Sequence, residues 1–155
     1  MTATIDPATD RYLAPTAGDR LFNRLARRLT AMGLSISGSR ELRVVGRTSG
    51  EVRSTVVNLL VLDGERYLVA PRGTTQWVRN LRAADGQGEL KVGRRVEAFR
   101  SEELADQVKP AILREYLERW AWEVGRFFDG IDASSTDEEL LAIAPGFPVF
   151  RLLDA

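Results

Sequence analysis

The segment GRTSGEVR, residues 46–53, is the part of the sequence best suited to binding an anion. Gly, Thr and Ser between two strand-like runs leave several backbone N–H groups exposed at a turn, and such a turn can cradle a phosphate. Arg47 and Arg53 bracket it with forked donors that match phosphate geometry. The segment indicates an anion site, although ordinary solvated hairpins contain the same residue types.

Two later segments also carry residues that could contribute to a ligand site. APRGT, residues 70–74, follows another strand-like run, and its glycine would let the backbone approach a ligand closely. Arg72 adds a third cation. In WVRNLR, residues 77–82, Trp77 and Leu81 share one helical face. Packing in a core is the simplest role for that face, and framing a ligand pocket is the alternative.

The absence of two residue types limits the kinds of catalysis that this chain can perform. The sequence contains no Cys and no His. This excludes disulfides, a Cys nucleophile, a thiolate metal site and a His general base. Proton transfer is left to Asp, Glu, Lys and Tyr, and redox chemistry would need a bound cofactor.

Charge is unevenly distributed along a chain whose formal net charge is zero. Residues 1–100 contain 17 Lys and Arg against 10 Asp and Glu, whereas residues 101–155 contain 5 against 12. The basic first part is consistent with an anionic ligand. Packing of two oppositely charged halves against each other would explain the pattern equally well.

Short strands and two helices must position these segments. The hairpin letters Asp63-Gly64 separate two of the strands. Helices are predicted at Gln76–Ala84 and at Lys109–Arg126. A helix N-cap is predicted at Ser135 or Thr136. The predicted strands are Glu41–Val45, Val52–Leu62, Arg66–Ala70, Glu89–Val92, Arg95–Arg100 and Pro148–Leu153. Six short strands with mostly short links favour a closed or half-closed antiparallel barrel.

The first 33 residues lack the short strand-like runs of the rest of the chain. Residues 1–17 have no periodicity and are predicted to be a flexible arm, with residues 18–155 forming a single domain. Residues 18–33 predict a basic amphipathic helix, which would pack on its own domain or contact a membrane surface. The sequence has no apolar run of membrane-spanning length and no signal-like start, so we expect a cytoplasmic protein with membrane association as an alternative.

The order of these segments is more specific than any one of them. Strand–GRTSG-x-x-R–strand–DG–strand–Ala-x-x-Gly–Trp-x-x-Asn-Leu, over residues 42–91, resembles the deazaflavin-dependent nitroreductase family of actinobacteria. The resemblance implies an α+β split β-barrel related to the FMN-binding pyridoxamine-oxidase group. It also implies coenzyme F420, an 8-hydroxy-5-deazaflavin with a phosphate and a polyglutamate tail, and no metal.

The resemblance also implies which residues would contact the coenzyme. They fall into a phosphate and tail group, a ring group, a loop closing over the phosphate side and a helix anchor. In that order they are Arg47, Thr48, Ser49, Gly50 and Arg53; Thr55, Val56, Val57 and Asn58; Ala70, Pro71, Arg72 and Gly73; and Trp77 and Asn80.

The sequence departs from the family pattern where an acceptor would bind. Some family members carry a Tyr-rich helix over the ring, whereas this chain reads ERWAWEVGRFF at residues 118–128. Tyr116 is the remaining phenol of that helix and a weak candidate for proton donor. A wall for a flat apolar acceptor is predicted from Trp120, Trp122, Phe127 and Phe128, with core packing as the alternative.

Together these features predict an oxidoreductase that passes hydride from reduced F420 to a quinone, enone or nitroaromatic acceptor. A non-catalytic deazaflavin or lipid carrier and an FMN-binding split-barrel protein are the alternatives. A nucleic-acid-binding barrel also combines Arg with aromatic residues. We expect no nucleic-acid partner, because the aromatic residues lie mostly on a helix in the acidic part of the chain.

Overall fold

A computed structural model describes residues 11–14 and 38–153 of the 155-residue chain. The strands are β1 Ser39–Val45, β2 Val52–Leu62, β3 Glu65–Val69, β4 Gly88–Val92, β5 Arg95–Glu103 and β6 Val149–Leu153. The helices are α1 Gln76–Ala83, α2 Lys109–Val124 and α3 Asp137–Ile143. The predicted amphipathic helix at residues 18–33, with its membrane contact, lies outside the described residues.

The six strands close into one antiparallel barrel. Their order is β1-β2-β3-β6-β5-β4, and β4 pairs with β1 to complete the ring. Asp63 and Gly64, between β2 and β3, have φ values of 51° and 79°, as a two-residue hairpin turn requires. The barrel predicted from sequence is thereby confirmed, and three helices of the described residues flank it.

Strand β2 is covered on both faces, as its apolar sequence predicts. Val57 belongs to the cluster inside the barrel, together with Leu42 and Phe150. Leu60 belongs to a second cluster that α2 and α3 form against the outside of the sheet. A strand between two apolar layers can place polar residues only where one layer is interrupted, and Asn58 lies at such a point.

Helix α2 is bent near its C-terminal end. Leu113 and Leu117 pack in the outer cluster, as the helical spacing predicts. Trp120 has non-helical dihedral angles of φ −128° and ψ 18°, which kink the helix. The helix ends at Val124 rather than at the predicted Arg126, because the chain tightens into a 3-10 turn at Gly125–Phe127.

Helix α3 begins with a capping box at the predicted N-cap. Thr136 accepts a hydrogen bond from the backbone N–H of Glu139, and the Glu139 carboxylate accepts one from the backbone N–H of Thr136. In the part of the chain that the structure describes, no helix is long and apolar enough to span a membrane.

Candidate active site

A cavity of about 930 Å³ opens between the β1–β2 turn, the start of α1 and the end of α2. Its volume lies in the range of small-molecule and cofactor sites. One end is lined by the turn that follows β1 and the loop that follows β3. The other end is lined by the middle of β2 and by side chains from α2 and the 3-10 turn after it.

The β1–β2 turn closes on itself. The N–H of Gly46 donates to the carbonyl of Glu51 at 2.7 Å, and the N–H of Gly50 donates to the carbonyl of Gly46 at 2.9 Å. Gly50 has φ 73°, a conformation that favours glycine. The N–H groups of Thr48 and Ser49 make no hydrogen bond to any residue that the structure describes. Two backbone donors are therefore available to an anion at this turn.

Helix α1 fixes the position of that turn. The side-chain oxygen Oδ1 of Asn80 accepts from the backbone N–H of Arg47 at 3.2 Å and from Nη1 of Arg47 at 2.8 Å. Asn80 is buried, so its oxygen cannot exchange these donors for water at little cost. The same helix holds the next loop, because Nε of Arg79 donates to the carbonyl of Thr74 at 3.1 Å.

A short N-terminal segment crosses the loop after β3. The N–H of Thr74 donates to the carbonyl of Arg11 at 2.6 Å, and the N–H of Leu13 donates to the carbonyl of Arg72 at 2.9 Å. Gly73 has φ 84°, and a Cβ there would lie 1.9 Å from the Arg11 oxygen. Residues 11–14, part of the predicted flexible arm, are docked here, and Tyr12 lines the cavity.

Three polar side chains meet at the end of the cavity that β2 and α2 line, which we call the ring end. Asn58, which is 8% exposed, donates from Nδ2 to Oε2 of Glu123 at 3.2 Å. Tyr116 is 2% exposed and lies beside them. Burial raises the pKa of Tyr116, and the Glu123 carboxylate raises it further. Burial also raises the pKa of Glu123, opposed by the hydrogen bond from Asn58.

The structure brings together most of the residues predicted to contact the coenzyme. The predicted residues that line the cavity are Arg47, Thr48, Ser49, Arg53, Thr55, Val56, Val57, Asn58, Ala70, Pro71, Arg72, Trp77 and Asn80. Gly50 and Gly73 are absent from the lining, since Gly50 lies at the open tip of the turn and Gly73 lies under Arg11.

The predicted aromatic wall is divided between the cavity and the core. Trp122, 64% exposed, and Phe127 line the cavity, as does Tyr116. Trp120 and Phe128 do not line it, because both are buried in the outer cluster. Trp120 lies one helical turn beyond Leu117 and Tyr116, so it faces the sheet with them.

Several lining residues were not predicted from the sequence. They are Tyr12, Val44, Gly46, Ser54, Val69, Thr75, Gln76, Glu123, Val124 and Arg126. Glu123 follows Tyr116 by seven residues, two helical turns, and that spacing places both on one face. This spacing was the available signal for Glu123. Tyr12 has no comparable signal, because its segment shows no periodicity.

The sequence matches the family described as F420H(2)-dependent quinone reductase over residues 19–126. The chain belongs to this family. An F420H(2)-dependent quinone reductase is an oxidoreductase, and coenzyme F420 is accordingly the cofactor of this protein. A comparison with curated proteins gives no match.

Solved structures agree with the barrel of this chain. A protein of unknown function from Agrobacterium tumefaciens is 17% identical, with a TM-score of 0.54, over 90% of this chain and 58% of that chain. A candidate pyridoxamine 5′-phosphate oxidase from Listeria innocua is 12% identical, with a TM-score of 0.50, over 83% of this chain and 92% of that chain. At these identities the likeness shows the split-barrel fold alone.

An F420-H2 dependent reductase is also among the similar structures, at 17% identity and a TM-score of 0.49, over 75% of this chain and 94% of that chain. The chain spans 58% of the length of the Agrobacterium protein.

The side chains around the cavity fit coenzyme F420. Its lining includes four cations, from Arg47, Arg53, Arg72 and Arg126, and Glu123 is the one acid among the described lining residues. A phosphate and a polyglutamate tail would complement such a surface. The buried hydroxyl of Thr75 also lines the cavity and has no hydrogen-bond partner among the described residues. It is a further donor that a bound group could engage.

Proposed function

We propose that this protein reduces a planar, electron-poor acceptor, a quinone, enone or nitroaromatic, with hydride from reduced coenzyme F420. One observation carries the proposal. A single cavity joins a cationic turn to a wall of β2 that carries Val56 and Val57. An elongated ligand could bind the cationic turn with its anionic end and the β2 wall with its flat ring.

The β1–β2 turn would hold the phosphate and the start of the tail. Arg47 is kept in place by Asn80, and the N–H groups of Thr48 and Ser49 in the same turn have no partner among the described residues. Arg72 would close over the phosphate from the next loop, in which Pro71 also lines the cavity. These contacts orient the ligand along the axis of the cavity.

The ring would lie along Thr55–Asn58, which line the cavity from β2. Bound reduced F420 supplies a hydride from a ring carbon, a two-electron step that suits quinones and enones. Trp122 and Phe127 would cover an acceptor stacked against that ring and exclude water from it. We favour a quinone or enone over a nitroaromatic, because the Tyr-rich roof of some nitro reducers is absent from residues 118–128.

Tyr116 is a poor proton donor in this proposal. Its raised pKa makes the phenol a weaker acid than an ordinary tyrosine, and it is almost completely buried. Tyr116→Phe should therefore cost less than the roughly 10²–10⁴-fold that a well-placed general acid contributes. A larger loss in kcat at unchanged coenzyme affinity would restore Tyr116 as the proton donor.

The test combines binding with turnover. Purified protein is titrated with F420 and with FMN while ring fluorescence is followed, and we expect tighter binding of F420. Reduced F420 is then mixed with the protein and a panel of quinones, enones and nitroaromatics, and its reoxidation is compared with a protein-free control. If the protein binds the coenzyme but does not accelerate its reoxidation, the protein is a coenzyme carrier and not an enzyme. Equal or tighter FMN binding would overturn the proposed cofactor contacts.

A further inference from the structure

The cavity contains one carboxyl group that the coenzyme contacts do not use. Glu123 lies in the last turn of α2, three residues beyond the kink at Trp120. It is half-buried and lines the ring end of the cavity, with Val56 and Asn58 opposite on β2. A group at this position would be close to any acceptor held over the ring.

A buried amide orients this carboxyl. Asn58 donates to Oε2 of Glu123 at 3.2 Å, whereas Oε1 has no hydrogen-bond partner among the residues that the structure describes. One oxygen is thus anchored to the barrel, and the other is available to a ligand. Anchoring through a second residue is how proton-transferring side chains are held in a productive geometry.

Burial, rather than a neighbouring charge, favours the protonated form of Glu123. Tyr116 lies near it on α2, and Asn58 contacts it from β2. Arg119, one helical turn earlier, donates instead to Glu115 and to the carbonyl of Val61. No cation forms an ion pair with Glu123 among the described residues. Partial burial therefore dominates and raises the pKa of Glu123. The cations that line the rest of the cavity are Arg47, Arg53, Arg72 and Arg126.

We propose that Glu123 is the catalytic acid that gives a proton to the acceptor as it is reduced, a proposal that rests on the reductase function above. The acceptor gains the two electrons of the hydride and is reduced, while the reduced coenzyme is oxidised. The negative charge that develops on the acceptor oxygen takes the carboxyl proton. The O–H bond of Glu123 breaks and an O–H bond forms on the acceptor. The carboxylate is then restored by a proton taken up from the solvent at the cavity mouth.

The first test uses the free protein. Carboxyl titration is followed by infrared or carbon NMR spectroscopy in wild type, Glu123→Gln and Glu118→Gln. Glu118 is an exposed carboxyl on the same helix and is the matched control. We expect the signal lost in Glu123→Gln to titrate at higher pH than the one lost in Glu118→Gln. Equal midpoints would overturn the proposal, since Glu123 would then be an ordinary ionised carboxylate.

The second test measures reoxidation of bound reduced F420 by a soluble benzoquinone and by 2-cyclohexenone across pH. In wild type the rate should fall as pH rises through the Glu123 midpoint. Glu123→Gln, which can keep the hydrogen bond from Asn58, should be at least about tenfold slower below that midpoint and should lose this pH dependence. Its F420 affinity should stay within about threefold of wild type, because Glu123 holds no part of the anionic end.

The outcomes separate the two proposals. If wild type binds F420 but reduces no acceptor, the reductase function fails and the role of Glu123 fails with it. If wild type turns over and Glu123→Gln matches its rate and pH profile, only the role of Glu123 fails. A variant that loses coenzyme affinity but keeps its rate at saturation would make Glu123 a binding residue.

Discussion

Two arginines at the β1–β2 turn have different surroundings and should have different roles. Arg47 is held by Asn80 through two hydrogen bonds, so it shapes the turn as well as carrying charge. Arg53 is exposed at the start of β2 and lines the cavity. Removing the Arg53 side chain therefore tests the charge of the site with little disturbance of its shape.

Arg53→Ala should weaken F420 binding by about 1.5–3 kcal/mol, the range for a hydrogen bond to a charged group. The affinity of wild type should also fall as salt rises, because exposed charges are screened. Fluorescence titration at two salt concentrations measures both effects. Arg94→Ala, in the β4–β5 turn outside the cavity lining, is the control. Unchanged binding by a folded Arg53→Ala protein would remove Arg53 from the site.

Asn80→Ala should weaken F420 binding although Asn80 itself carries no charge. The substitution removes the acceptor that fixes both the backbone and the side chain of Arg47. We expect a loss of about 0.5–1.5 kcal/mol in the free energy of unfolding, because Arg47 is exposed and water can replace the lost acceptor. Asn80→Gln keeps an amide oxygen without adding charge and should bind F420 more tightly than Asn80→Ala. Equal affinity of the two variants would contradict a positioning role.

At the scale of the elements, the sequence predicts the ends of strands and helices where turn-forming residues mark them. The limits of β2 were predicted without error, because GRTSG and Asp63-Gly64 mark both of its ends. The end of α2 was predicted two residues too late, at Arg126, although Gly125 directly follows the last helical residue, Val124. Trp120 and Trp122 were assigned to one wall although residues two apart on a helix do not share a face, and Trp120 is buried while Trp122 is exposed. Glu123 was not predicted as a cavity residue, because a charged residue on a helix usually faces solvent.

Thr136→Ala should destabilise the protein without changing its chemistry. It removes the side-chain acceptor for the N–H of Glu139 and half of the capping box of α3. The expected cost is about 0.5–2 kcal/mol in the free energy of unfolding, measured by chemical denaturation. Thr136→Ser keeps the hydroxyl and should be close to wild type. F420 affinity should be unchanged in both variants, because α3 does not line the cavity. A matched loss in the Ser variant would show that the methyl group, not the cap, is responsible.

At the scale of the whole molecule, the protonation of one carboxyl is linked to folding. The pKa of Glu123 is raised in the folded state above its ordinary value of 4.5. The folded state therefore holds this proton more tightly than the unfolded state does. The stabilisation is fully present below the ordinary value and is lost as pH rises through the folded-state pKa.

The free energy of unfolding of wild type should consequently fall relative to that of Glu123→Gln as pH rises from about 4.5 towards neutrality. Denaturant titrations at several pH values measure the difference between the two proteins. Glu118→Gln, the exposed control, should track wild type throughout. A difference that stays constant with pH, or that grows in the opposite direction, would contradict the raised pKa.

The pairing of β6 has a consequence for how the chain reaches this structure. Strand β6 closes the barrel between β3 and β5, and Arg66 of β3 pairs with Leu152 of β6. This pairing gives the fold a high contact order, because a long loop must close before it forms. On the ribosome, the open edges of β3 and β5 must wait until residues 149–153 are synthesised. Nascent chains that stop before Val149 should therefore expose two unpaired edges, which are sites for aggregation and for chaperone binding.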